Sequence, residues 1–487
     1  MIHSYGQGLY FKKMLFAVVV CYVAYRVAVF IAAGGFDDHI GRVLDAPNMY
    51  AGFALLLAQL LKLIGLIIFA VAAYKLRVDV ITAIFILFLS QSNVVNMGIL
   101  HFYTDSIGGV TALDLKGVIL LIGLTVLYLR DYEWIKSVMR NRIFWPFFII
   151  VFCGLLTQIY NIGFKEGVGL VLVKVILPMI FMIMISYVAR SIEGLRLLFG
   201  CSIISIVFFA VSRVVGGGGY EDSITGRIFG IGTWTIYGTL IVSVLPFVYC
   251  MWRKTEYLWV KILLIGSSLI MIYEAFLTQT RGAIAAIPLM GALLLLENKR
   301  SKIVLAIVSM LFLFSTIYVN IDVFELQFVG GRVLSSNVNR MLKEDNWFGR
   351  LERNAEAVEY ITRHPISGVG LGKPTSESGM DLAFWVYNPY LHFGVAMGVL
   401  AMLAFALSMF HAVSSAIRNL RHEMQGQKIY QFSILASLSA WVLNQFTTGD
   451  SLLYLLSLES ILFFYAVIGM IIGQSIRFDM EKKEAAV

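Results

Sequence analysis

Apolar runs of about 20 residues, the length that crosses a bilayer core as a helix, recur in this chain from Met14 almost to its C-terminus. No other feature restricts its fold so strongly. Backbone in hydrocarbon must satisfy its own hydrogen bonds, which for runs of this kind means helices. Only 14% of the 487 residues are charged and 59% are hydrophobic, against about a quarter charged in soluble domains. The expectation is an all-α, polytopic membrane bundle with no separate soluble domain. Its predicted spans are 14 to 34, 50 to 73, 79 to 97, 109 to 130, 143 to 162, 169 to 190, 197 to 216, 231 to 252, 258 to 278, 282 to 297, 302 to 321, 389 to 416, 430 to 447 and 452 to 475, about fourteen in all. The polar stretch "SQSNVVNMG" (Ser90 to Gly98) makes the third either a span or a re-entrant piece. Lys12 and Lys13 precede the first run, but it lacks a small-residue cleavage site and reads as a retained span.

Charge gives the orientation. With the N-terminus inside, the short inner loops contain Lys75 and Arg77; Arg130, Lys136, Arg140 and Arg142; Arg190 and Arg196; Arg253 and Lys254; Lys299, Arg300 and Lys302; Arg418, Arg421 and Lys428. This obeys the positive-inside rule and places both termini in the cytoplasm. The net charge of +8 is spread over these loops, so no nucleic-acid partner is expected. Cys21, Cys153, Cys201 and Cys250 each stand alone in an apolar run, without metal-ligand spacing.

The chain therefore divides into helices 1 to 11 (1–321), one large loop on the outer side (322–388), which is the periplasm if the cell has an outer membrane, and helices 12 to 14 with a cytoplasmic tail (389–487). Long loops are often functional. Within this one, "NWFGRLERNAEAVEYITRH" (Asn346 to His364) places Phe348, Leu351, Ala355, Val358 and Ile361 on one helical face. Pro365 ends the helix. The expectation is a short amphipathic helix on the outer membrane face, its stripe down and Arg350, Glu352, Arg353 and Glu356 turned upward or toward a cavity.

Ionisable residues gather at the outer level. Arg281 opens span ten within "FLTQTRGAIA"; Arg213 ends span seven; Arg227 precedes span eight; Glu274 lies one turn from the end of span nine; Lys174 and Glu459 lie in the outer parts of theirs. A charge in hydrocarbon costs about 3 kcal/mol, so such groups face a protein interior or a wet cavity. Snorkelling to the interface accounts for any one of them, and for Lys62 and Arg26 it or an interhelical contact is the reading taken. Their common level points instead to a cationic cavity opening outward. Such a cavity suits a lipid diphosphate, whose oxygens match arginine forks. The near match "SGVGLGKPT" (Ser367 to Thr375) lacks phosphate-loop spacing. With no nucleotide expected outside, the energy for any synthesis must come from the substrate.

Four segments in order resemble the O-antigen ligase and O-antigen polymerase superfamily of bacterial surface-polysaccharide enzymes. They are "GRIFGIGTWTIYGTL" (Gly226 to Leu240), with an Arg-x-x-Gly start to a span, and "TQTRGA" after span nine. The third is "GRLERNAEAVEYITRHPISGVGLG" (Gly349 to Gly372), an arginine and short helix before a Pro-x-x-Gly-x-Gly turn. The fourth, "VYNPYLHFGVAMGVLAML" (Val386 to Leu403), is similar to the family's His-Asn-x-Tyr-Leu start to a span. The resemblance implies a glycosyltransferase, independent of metal and of cofactor, that moves a glycan from undecaprenyl diphosphate to an acceptor hydroxyl with inversion. It also implies that Arg281 and Arg350 hold the diphosphate and that Arg227 lines the same cavity. Cations placed in advance stabilise the charge that grows on a departing diphosphate. Arg213, Glu274, Asn388 and Arg353 complete the candidate substrate-binding set.

The fourth segment departs from the family pattern. Tyr387 stands where family ligases have a histidine resembling a general base, and a tyrosine with a pKa near 10 is a poor base at neutral pH. Tyr387 then positions the acceptor or leaves the proton to another group: His392 first, then Glu274, Glu221, Asp222 and His364. The departure favours a polymerase of lipid-linked repeat units over a ligase acting on lipid A core. A transporter or flippase for a lipid-linked glycan is the third reading; it is disfavoured because the charges are skewed outward and no internal repeat is found. Expected partners are the lipid-linked oligosaccharide, membrane lipid, a chain-length regulator and a flippase. "GGGGYED" (Gly216 to Asp222) reads as a hinge or as a gate for sugars beside Arg227.

Overall fold

The computed structural model describes residues 115–161, 171–215, 220–221, 228–229, 234–278, 283, 286–287, 347–368, 370, 388–424, 426–448 and 458–485. Helices make up nearly all of this. They are α1 (Leu115–Arg130), α2 (Tyr132–Met139), α3 (Pro146–Asn161), a π-helical turn (Leu172–Ile176) running into α4 (Leu177–Val188), α5 (Ile192–Val215), α6 (Trp234–Lys254) and α7 (Leu258–Leu277). After the long loop come α8 (Trp347–Arg363), α9 (Pro389–Met397), α10 (Val399–His422), α11 (Lys428–Thr448) and α12 (Leu458–Ala485). Strands β1 (Tyr220–Glu221) and β2 (Ile228–Phe229) pair antiparallel between α5 and α6, with Glu221 opposite Ile228. Tyr220 and Glu221 of the glycine-rich segment thus form a strand, and its glycines lie outside the described residues.

Among the described residues, four helices are long and apolar enough to cross a membrane: Ile192–Ala210, Leu258–Leu277, Val399–His422 and Leu462–Ala485. The spans expected over 14 to 34, 50 to 73, 79 to 97 and 302 to 321 lie outside the described residues, as does nearly all of 282 to 297. Helix α2 is an addition to the expected set. The Asp131 side chain caps it by accepting from the Trp134 N–H at 3.1 Å, and it buries Trp134, Ile135 and Val138 while Glu133 and Lys136 face outward.

Hydrocarbon supplies little hydrophobic drive between helices, so membrane interfaces rely on small residues and polar ties. The α4–α12 contact follows this rule. A Cβ on Gly469 would stand 2.8 Å from the Met182 carbonyl oxygen, and one on Gly473 would meet the Ser186 oxygen more closely still. Beside them the Gln474 side chain donates to the Ala189 carbonyl. Aromatic rings fill the remaining seams: Phe199 stacks on Phe247 at 4.0 Å, and Trp441 lies against Phe464 at 4.1 Å.

One end of the bundle is basic and closely tied. Arg190 pairs with Asp131 at 3.1 Å and covers the Tyr187 ring at 4.0 Å. Arg196 Nε donates to Tyr430 Oη at 2.6 Å, and Lys254 donates to the Gly426 carbonyl. At its centre Arg477 pairs with Glu423 at 2.6 Å, with their side chains 14% and 2% exposed. Gln431 Nε2 donates both to Glu423 (3.1 Å) and to Gln474 (2.8 Å). The α10–α11 turn, α4 and α12 are therefore joined by one polar network.

Two outcomes follow. Gly473→Ala forces a methyl into the α4 backbone and lowers the melting temperature in detergent, an overpacking cost of about 1–3 kcal/mol. Arg477→Ala strands a buried carboxylate and costs more, about 3–5 kcal/mol; thermal unfolding of both variants, with unchanged melting for either counting against these contacts, is the check.

Candidate functional site

The expected continuous span over 389 to 416 is broken. At Gly398, φ is +87°, a conformation that favours glycine, and the chain reverses there. Tyr390 and Phe393, before the break, both lie on the ring of Phe405, after it, at 5.4 and 4.3 Å between centroids. Helix α9 thus folds back along α10, and its first turn lies beside α10 rather than beyond its end. The hydropathy run could not reveal this, because both arms of the hairpin are apolar.

A break inside the protein leaves carbonyls and N–H groups to be satisfied. The Pro-x-x-Gly-x-Gly turn does this. The Val399 N–H donates to the Pro365 oxygen at 2.8 Å and the Gly370 N–H donates to the Ala396 oxygen at 2.9 Å. The fit leaves no room for side chains, since a Cβ on Gly398 would lie 2.7 Å from the Ile366 oxygen and one on Gly368 would lie 2.5 Å from the Ala396 oxygen.

That turn carries α8 with it. Ala357 and Ile361 pack on Val395, surrounded by Tyr360, Leu391, Val399 and Met402, and Gly394 makes space for Ile361. The expected stripe is corrected here: Ala355 and Val358 are exposed, and the buried side runs through Ala357 and Ile361. Small residues win this face because it meets a helix, not lipid tails. The Asn354 Oδ1 is buried with no hydrogen-bond partner among the described residues.

Glu274 and His392 are among the buried polar side chains of the described residues, away from the basic end. Glu274, 1% exposed near the end of α7, accepts a hydrogen bond from Tyr237 Oη at 3.3 Å. Phe209 of α5 sets its ring edge-to-face on Tyr237 at 4.9 Å, so this carboxyl sits in the corner of α5, α6 and α7. His392, 3% exposed, stands in the first turns of α9, and Lys174 lies on the π-helical turn. Helix α3 lies against both segments: a Cβ on Gly154 would touch Met397 of α9 and Val171 beside the π-helical turn.

The other candidates fall as follows. Asn388 caps α9, its Oδ1 accepting from the N–H groups of Tyr390 (2.9 Å) and Leu391 (3.4 Å) while Pro389 takes the first helical position. Arg213 is on α5, and Arg350 and Arg353 are on α8. Arg227, Arg281, Tyr387 and Asp222 lie outside the described residues. Glu221 is in β1, and His364 is exposed. The sequence reading missed Tyr237, whose only signal is an aromatic hydroxyl in an apolar run.

These features define a polytopic helical membrane protein with a reversed helix sealed by a large loop, and with buried ionisable groups away from its basic end. Residues 266–406 match the family model described as O-antigen ligase. The match takes in the second half of α7, all of α8 and α9 and the start of α10, and it supports an assignment to the O-antigen ligase and polymerase superfamily. The comparison with curated proteins gives no significant match.

Gly398→Ala introduces strain and a clash with the 365–370 turn. Its expected signature is local: faster hydrogen exchange at the Val399 and Gly370 amides, with exchange in α12 unchanged. Protection at both amides equal to the parent protein would show that the turn is not held this way.

Proposed function

We propose that this protein is a membrane glycosyltransferase that polymerises oligosaccharide repeat units carried on undecaprenyl diphosphate, at the periplasmic face of the inner membrane. The observation that carries this reading is the family match over 266–406, which overlies the outer-loop helix and the reversed α9. The basic end would then face the cytoplasm with both termini.

In this reading Arg281 and Arg350 hold the donor diphosphate, while Arg227, Arg213 and Arg353 line the approach. The acceptor hydroxyl oxygen bonds to the anomeric carbon from the face opposite the diphosphate. The bond from that carbon to the phosphate oxygen breaks, and the lipid diphosphate leaves with the electron pair. Fixed cations favour this step because they meet more negative charge in the transition state than in the bound donor. The hydroxyl proton passes to a base, and the buried candidates are Glu274, steadied by Tyr237, and His392. Tyr387, in place of the ligase histidine, would position the acceptor, which is why a polymerase is preferred to a ligase.

Reversed and broken helices also serve transporters, so the α9–α10 hairpin suits a carrier of the same lipid-linked glycan. One experiment separates the readings. The protein is reconstituted with a lipid-diphosphate-linked repeat unit, and products are sized beside Arg281→Ala. A ladder of multiples is expected, falling at least about 100-fold in rate in the variant if it removes transition-state stabilisation. Intact donor with transfer only to lipid A core would make it a ligase; movement across the bilayer without transfer would make it a carrier. A ladder indifferent to Arg281→Ala would displace the diphosphate from that residue.

A further inference from the structure

We infer that the seam where α5, α6 and α11 meet is a binding site for a small cluster of water, held by Ser202, Ser243, Ser433 and Ser437 beside the proline of α6. The water site goes beyond the glycosyl-transfer reading and does not depend on it. All four serines are 0% exposed, and among the described residues the Oγ of each has no hydrogen-bond partner. A serine in an apolar helix can return its hydroxyl to a carbonyl three or four residues back, as Ser205 of α5 does to Ser202 and Cys201. These four do not. A buried hydroxyl left unsatisfied is costly, and four of them on one seam point to a shared partner.

Ring contacts fix their common level. Phe199 of α5 stacks on Phe247 of α6 at 4.0 Å and lies 6.0 Å from Tyr430 of α11, centroid to centroid, so these three rings form one layer. Arg196 on Tyr430 and Lys254 on the Gly426 carbonyl mark the side of that layer toward the basic end. Helices α5 and α11 start at that end and α6 finishes there. One turn farther from it, on the same helical faces, stand Ser202 three residues after Phe199, Ser433 three after Tyr430, and Ser243 four before Phe247. Ser437 repeats Ser433 one turn on. The contact of Phe209 with Tyr237 at 4.9 Å keeps α5 and α6 in the same antiparallel register beyond the serines.

The backbone adds a further acceptor at this level. Pro246, inside α6, has no N–H to offer the Val242 carbonyl four residues back, which opens a rung of the helix beside Ser243. In membrane helices such freed carbonyls are satisfied by neighbouring hydroxyls and ordered water. The lining selects water over an ion. Its hydroxyls both donate and accept, and no Asp, Glu, Lys, Arg or His occurs between Phe199 and Phe209, between Tyr237 and Cys250, or between Tyr430 and Trp441. Water has the same two-way capacity and makes about three hydrogen bonds when buried. It also exchanges partners without repacking. Bound at Pro246, it satisfies the opened rung while the half of α6 that carries Tyr237 to Glu274 stays free to tilt about the proline.

Hydroxyl-radical footprinting of the full-length protein in detergent reads bound water directly, because a millisecond X-ray pulse oxidises side chains next to the water it splits. Phe199 and Phe247, both 0% exposed, are expected to be oxidised, while Phe181 of α4, equally buried, is not. The double variant Ser243→Ala/Ser437→Ala is expected to lose that oxidation and to melt about 2–4 °C lower, since it removes hydrogen bonds to the water. Phe199 and Phe247 as unreactive as Phe181 would show a dry seam and overturn the site; this arm needs no variant. A double variant that melts higher would do the same, because removing hydroxyls that bond nothing relieves a cost. Oxidation unchanged in the double variant would take the water off these serines and is equally fatal. None of these readouts involves glycan synthesis, so a protein that makes no polymer would lose the glycosyl-transfer reading and keep the water site.

Discussion

The part of this structure that carries the candidate site depends on satisfying backbone hydrogen bonds where water is scarce. A helix reversed inside a membrane bundle exposes carbonyls at one end and N–H groups at the other, and each unsatisfied group costs several kcal/mol. Here the turn at 365–370 supplies both missing partners through Pro365 and Gly370. Because that turn also ends α8, the seal fixes the outer-loop helix against α9. The register of Arg350 and Arg353 along α8 is thereby tied to that of His392 along α9. Gly368, Gly394 and Gly398 are required by this close approach, not by flexibility.

The two ends of the bundle differ in chemistry. At the basic end the charged groups are spent on one another and on carbonyls: Arg477 on Glu423, Arg190 on Asp131, Arg196 on Tyr430. The α4–α12 seam, closed by Gly469 and Gly473, runs up to this network. Away from it, Glu274, Lys174 and His392 are held within the protein by helix corners and distortions. A rigid base and a chemically loaded opposite end suit an enzyme that works on one membrane face, which is the function proposed here.

That proposal places unusual weight on cations. Breaking a bond to diphosphate yields a leaving group that already disperses negative charge, so holding the charge matters more than a strong base. The absence of the ligase-type histidine at Tyr387 is then less damaging than it first looks.

Much of this was legible before any coordinates. Apolar length and flanking charge determined a helical membrane protein, the bounds of α6, α7 and α11 to within a few residues, and the helix after Asn346, because each depends on local composition alone. The Pro-x-x-Gly-x-Gly turn and Asn388 were recognisable as a family pattern, and the match over 266–406 bears that resemblance out. What the residues could not disclose is where those patterns press against each other. The reversal at Gly398, the shift of the buried face of α8 to Ala357 and Ile361, and Tyr237 on Glu274 all arise from contacts between segments distant in the chain. Hydropathy and periodicity report what each segment must bury, and only tertiary packing decides against what.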